Sequence, residues 1–159
     1  MQNRYEFLDD CVCIIDNRGN KTFVDLYDYE KLKSFYCLLD KHSGYFVLVE
    51  QGVKQYLHRF IFGDSLLKSD IIDHIDRDKC NNRKSNLRVV NSSQSVMNRG
   101  LRKDNKLKCR GVRFRNGKYE ARISRNGSRV LLGRFTTLAE AKLCRLEAEK
   151  IYFGEYAPQ

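Results

Sequence analysis

The sequence predicts an α+β protein: an N-terminal unit of small strands ending in a strand–loop–strand–helix segment, then a three-stranded antiparallel sheet packed on one helix. Three observations predict it. Short stretches alternate apolar and polar residues with period two, bounded by Gly, Asn and Asp turn signals. The chain closes on one long, capped helical pattern. Charge also divides the chain: residues 1–56 carry 7 basic and 9 acidic side chains, whereas 57–159 carry 23 and 11.

Taken in order, residues 1–26 read as two or three short strands, at 4–8, 11–16 and 22–26, with a turn at 17–20. Residues 28–35 read as a short helix with Asp28 as its cap, and 44–63 as a hairpin with Gln51-Gly52 at the tip. Residues 70–76 form a strand, 77–85 a loop, 86–90 the returning strand and 92–99 a helix opened by serines. The glycine-led, aperiodic stretch 100–108 reads as a linker. Beyond it, 111–116, 118–126 and 128–135 alternate at period two, with Asn-Gly turns at 116–117 and 126–127. The helix 137–154 starts with a capping box, Thr137 with Glu140, and stops at Gly154. The expected division is 1–99 (strands 1–56, then a strand–loop–strand–helix core 57–99), linker 100–108 and sheet unit 109–159.

Composition excludes several classes. No apolar run reaches the roughly 18–20 residues of a membrane span, and the first ten residues lack the basic and apolar regions of a signal peptide. The expectation is therefore a cytoplasmic protein, in a phage or bacterial host cytosol on the resemblances below. The six cysteines are scattered without paired spacing, so they read as reduced, packed thiols and not as a zinc site. Between 79 and 134 there are 17 basic and 2 acidic side chains, the footprint of a polyanionic partner such as nucleic acid.

In the C-terminal sheet, strict alternation places Val112, Phe114, Tyr119, Ala121, Ile123, Val130 and Leu132 on one face. The helix residues Ala141, Cys144, Ala148 and Ile151/Tyr152 are expected to cover it. The other face then carries Arg113, Arg115, Lys118, Arg122 and Arg129. A small sheet fits the major groove, where arginine reads guanine O6 and N7 as a pair. Few aromatics stand on that face to stack single-stranded bases, which disfavours single-stranded RNA. The stretch RGVRFRNGKYEARISRNGSRVLLGRFTTLAEAKLCRLEAEKIYFGEYA resembles the APETALA2/ethylene-response-factor DNA-binding domain. The resemblance implies double-stranded DNA as partner, with Arg110, Arg113, Arg115, Lys118, Arg122 and Arg129 at the interface. Asn116 and Leu131 stand where the plant pattern favours tryptophan, so the plant target sequence does not carry over.

The segment IIDHIDRDKCNNRKSNLRVV sets Asp73 beside His74 at a strand end. Phosphodiester hydrolysis needs a base to activate water and a cation to neutralise charge on the phosphate. Histidine suits the first role, and a hard divalent ion held by oxygen suits the second. Together with YLHRFIFG upstream and the asparagines and arginines that follow, this segment resembles the HNH homing endonucleases of the ββα-metal fold. The resemblance implies a metal-dependent, site-specific DNA endonuclease that nicks one strand as a monomer, using Mg²⁺ or, as the alternative ion, Mn²⁺. It assigns His74 as general base, Asp73 as metal ligand and Asn86 as the brace of the loop, with His58 and Arg59 beside the site. The family commonly carries an asparagine ligand nine residues after the middle Asn; here that position is Ser95, with Asn98 or Asp76 as substitutes. Ser95 motivates a second reading, a catalytically impaired relic that acts as a DNA-binding or inhibitory protein. The sequence names no protein partner.

Overall fold

A computed structural model describes residues 2–125 and 127–158, with side chains of all but Asp64 and Arg125. The chain is mixed α and β, with four small antiparallel sheets and four α-helices among the described residues, in keeping with the α+β class. It divides into two compact units, Met1–Asn91 and Ser92–Gln159.

In the first unit, β1 (Arg4–Phe7), β2 (Cys11–Ile15) and β3 (Lys21–Asp25) form one antiparallel sheet with β2 in the centre. Every residue of β2 is buried, which is why it reads as an unbroken apolar run. Helix α1 (Leu26–Leu32) follows. It begins two residues before the expected Asp28, which lies inside its first turn.

A second sheet, β4 (Tyr36–Asp40), β5 (Tyr45–Glu50) and β6 (Val53–Tyr56), comes next. Gln51 and Gly52, at φ 48° and 82°, make the expected tight tip between β5 and β6. The strand expected to continue through residue 63 instead becomes helix α2 (Leu57–Phe62). It turns Leu57 and Ile61, four residues apart, onto the core. The hairpin β7 (Ile71–His74) and β8 (Leu87–Val90) carries the Asp-His pair.

One core unites these pieces: Val12, Ile14 and Val24 pack with Phe46, Leu48, Leu57, Ile72 and Leu87. Asn3 staples its layers, accepting from Cys37 N at 2.8 Å and donating to the carbonyls of Cys37 and Ile15. The acidic first third is therefore part of the same body as the Asp-His hairpin. The loop between β7 and β8 even joins β3: Phe23 N donates to Cys80 O and Asn82 N to Phe23 O, both at 2.8 Å.

The second unit opens with α3 (Ser92–Met97). Residues 92–108, expected with the first unit and the linker, cluster here, and Leu107 packs on the core of Val112, Ala121 and Ala141. Strands β9 (Val112–Arg115), β10 (Lys118–Arg125) and β11 (Ser128–Phe135) form an antiparallel sheet in the order β11-β10-β9. The turn at Asn116-Gly117 is as expected, with φ of 49° and 74°. Asn126 of the other expected turn lies outside the described residues.

Helix α4 (Leu138–Phe153) packs on β10 and β11, and its capping box is formed: Glu140 N donates to Thr137 Oγ1, and Thr137 N to Glu140 Oε2. Its buried residues are Ala141, Arg145, Ala148, Glu149 and Phe153, whereas Ile151 is exposed, so the covering face is rotated from the one expected. Among the described residues no helix is long and apolar enough to cross a membrane.

Candidate functional site: a histidine centre and an arginine face

His74 closes β7 and is only 4% exposed. Its Nε2 lies 3.2 Å from Asn82 Oδ1. Asn82 Nδ2 donates to Thr22 Oγ1 at 2.8 Å and to Lys79 O at 3.1 Å. With the amide hydrogens directed there, the amide oxygen faces His74 and accepts. Nε2 therefore carries the proton and Nδ1 the lone pair. Burial lowers the His74 pKa below its ordinary 6.5, against the upward pull of Asn82 and of the carboxylates of Asp76, Asp73 and Asp78. The imidazole is neutral at pH 7, the state a base requires.

His58 on α2 stands with its ring centre 5.5 Å from that of His74, edge to face. It stacks on Tyr56 at 5.4 Å, and Tyr45 lies 5.0 Å away. Burial, then the neighbouring His74, brings its pKa down to about 4, so it too is neutral. Tyr45 also lies 5.9 Å from His74 and carries the ammonium of Lys79 at 3.9 Å from its ring centre. Lys79 is fixed there by its bond to Ser43 O at 2.8 Å.

Asn86 holds the loop. It accepts from Asp76 N at 3.0 Å and donates to Asp76 Oδ1 and Asn81 O. Asp76 is bound further by Asn81 Nδ2 and Asp78 N. These bonds outweigh its burial and hold its carboxyl below the usual range. Arg59 clamps the stretch before β7, donating to the carbonyls of Asp70 and Leu67 at 2.8 and 3.0 Å. Asp73 pairs with its cross-strand neighbour Arg88: Nη2 and Nε reach Oδ2 at 2.9 and 3.1 Å. The first unit thus sets His58 against His74, next to Asp73, with Asn86 bracing the loop that follows, while the Arg59 guanidinium is held by the carbonyls before β7. Ser95, on α3, and Asn98, buried just past its end, belong to the second unit. No cluster of three or more His, Cys, Asp or Glu suited to a metal occurs among the described residues.

In the second unit the outer sheet face is basic. Arg115, Lys118 and Arg129 are exposed. Glu120, facing the same way, is 2% exposed and accepts from three arginines: Arg113 Nε at 2.8 Å, Arg122 Nη2 at 3.0 Å and Arg134 Nε at 3.2 Å. These bonds hold its carboxyl below the ordinary range, that from Arg113 foremost. Arg110, ahead of β9, donates to the carbonyls of Val96, Met97 and Arg99 and so caps the end of α3.

An uncharacterized HNH endonuclease of Acanthamoeba polyphaga mimivirus is 34% identical over 146 residues, spanning 88% of this chain and 74% of the viral protein. The chain belongs to the HNH endonuclease family. No protein-family model and no solved structure matches it.

For this HNH-family chain, sequence reasoning missed Asn82, Thr22, Tyr45 and Lys79 around His74. Asn82 lies within the quoted motif, but nothing local separates it from Asn81 or Asn86. Its partner Thr22 is 60 residues away. Arg134 was missed for a different reason. A bulge between Ala121 and Arg122 shifts the register, so Arg134 pairs opposite Glu120 on the polar face.

Proposed function

We propose that this chain is a metal-dependent, site-specific DNA endonuclease that nicks duplex DNA, with His74 as the general base. The observation that carries this reading is the buried, neutral His74, its Nε2–H held on Asn82 Oδ1 beside Asp73 in a chain of this family. The neutral imidazole of His74 takes a proton from water as the water oxygen bonds to phosphorus and the P–O bond to the leaving sugar oxygen breaks. Asn82 holds the ring in that tautomer and stabilises the imidazolium that forms. Thr22, Lys79 and Asn86 hold Asn82 and its loop.

Asp73 fits a divalent ion: it is a hard oxygen donor next to the base, and Mg²⁺ binds through one or two carboxylates with phosphate oxygens and waters. When bound, the ion neutralises charge on the phosphate and the leaving oxygen. Arg88 holds the same carboxylate through its guanidinium. The arginine face of the second unit, resembling the APETALA2-type domain, lengthens the recognised site.

Ser95, standing where the family commonly has asparagine, supports a second reading: a catalytically impaired relic that binds DNA. One experiment separates the two. Purified protein is incubated with supercoiled plasmid carrying its own flanking genomic DNA, with Mg²⁺, Mn²⁺ or EDTA. Conversion to open circle that requires the metal is the expected result. A gel shift without cleavage, with nicking gained by Ser95→Asn, would establish the relic.

A further inference from the structure

The register of the second sheet puts Arg113, Glu120 and Arg134 directly opposite one another, one from each strand. Arg122 follows Glu120 by two residues on the same strand and the same face. The four form one row and its neighbour across the sheet. The carboxylate lies inside, with its side chain 2% exposed, while those of Arg113, Arg122 and Arg134 are 45%, 32% and 61% exposed. One buried anion therefore holds two open cations and a half-buried third from below.

This differs from an ordinary surface ion pair. Exposed pairs hold their partners loosely, because ordering two long side chains offsets the weak attraction. Here both carboxylate oxygens are engaged and the acceptor cannot swing into solvent. Arg113 and Arg134 each bond through Nε, which leaves their Nη groups for a ligand. Paired N–H groups are what guanine O6 and N7 accept in the major groove. Strands stand about 4.8 Å apart, so the row spans roughly 10 Å, or about three base-pair steps of about 3.4 Å each.

We propose that Glu120 is the positioning residue that makes this face a sequence reader: it fixes Arg113, Arg122 and Arg134 to read guanines within about three base pairs of duplex DNA. This rests on the reading of the second unit as a DNA-binding unit. A guanidinium held in place discriminates among bases, whereas a mobile one follows any phosphate.

The test is a binding selection from randomised duplex DNA with the full chain in EDTA, followed by measurement of the specific-to-random affinity ratio. Wild type is expected to select a guanine-containing core. Glu120→Gln is expected to bind random duplex more tightly, since it is one charge more positive, while its ratio falls at least tenfold. Glu147→Gln, which adds the same charge at an exposed helix position, is expected to keep the ratio. Arg134→Ala is expected to erase preference at one base pair only, and it serves alone if Glu120→Gln does not fold.

An unchanged ratio in Glu120→Gln, an equal fall in Glu147→Gln, or an Arg134→Ala profile identical to wild type would overturn the proposal. Failure of wild type to bind or select duplex would instead overturn the DNA-binding reading beneath it.

Discussion

In the first unit the two central histidines pack on tyrosine rings and the Asn82 amide, whereas in the second a single buried carboxylate holds three arginines at the sheet surface. The first arrangement keeps its two rings uncharged. His58 and His74 are both driven toward the neutral form by burial. The second concentrates charge and orders it. The difference matches the two proposed tasks: a base must be uncharged and aimed, while a surface that attracts a polyanion must keep its charge. It also teaches where rigidity comes from. In the first unit it comes from long-range bonds, such as Thr22 to Asn82. In the second it comes from strand register.

Four substitutions break or sharpen this comparison. Gly111→Ala has the largest expected effect. Gly111 has φ of +70°, and an added Cβ would meet Arg145 and the carbonyl oxygen of Arg122. Strain and overpacking together cost roughly 2–6 kcal/mol. Hydrogen exchange is expected to quicken across β9–β11 while β2 and β3 keep their protection.

Asn82→Ala comes next. It leaves the Thr22 hydroxyl and His74 Nε2 without their amide, which costs about 1–3 kcal/mol. Urea unfolding would register the loss, and cleavage is expected to slow because the imidazole is no longer held to one tautomer.

Asp16→Asn probes the first unit away from its centre. Asp16 is buried, yet bonds from Asn20, Leu39 and Arg18 hold its carboxyl below the usual 3.8. A folded pKa below the unfolded one adds stability that is present above 3.8 and lost as pH falls through the folded value. The variant is expected to be about 1–2 kcal/mol less stable at pH 7. The gap should close below 3.8 in a pH series of unfolding curves.

Arg129→Ala, an exposed charge on the sheet face, is the mildest. It is expected to weaken all duplexes alike and to reduce the slope of log K against log salt by about 1. An unchanged slope would take Arg129 off the phosphate backbone.

Much of this was legible in the sequence. Asp73 and His74 end a strand as expected, the capping box at Thr137 and Glu140 is formed, and Asn116-Gly117 makes its turn. Each of these depends on residues within a few positions of one another. What was missed depends on distance. The run from Leu57 to Phe62 is too short for its periodicity to separate strand from helix. The core decides it, by taking Leu57 and Ile61. Asn82 is chosen over its neighbours by a threonine on β3. Arg134 reaches the polar face through a bulge that strict alternation does not carry. Arg110 reads as one more basic residue until the carbonyls of α3 are brought to it.

The most direct test of the central claim is the single-turnover nicking rate of His74→Ala against wild type on the plasmid carrying the flanking DNA, with duplex affinity measured in parallel. Loss of the general base is expected to slow cleavage by about 10²–10⁴-fold and to leave affinity within about twofold. His74→Ala cleaving at the wild-type rate would contradict the account.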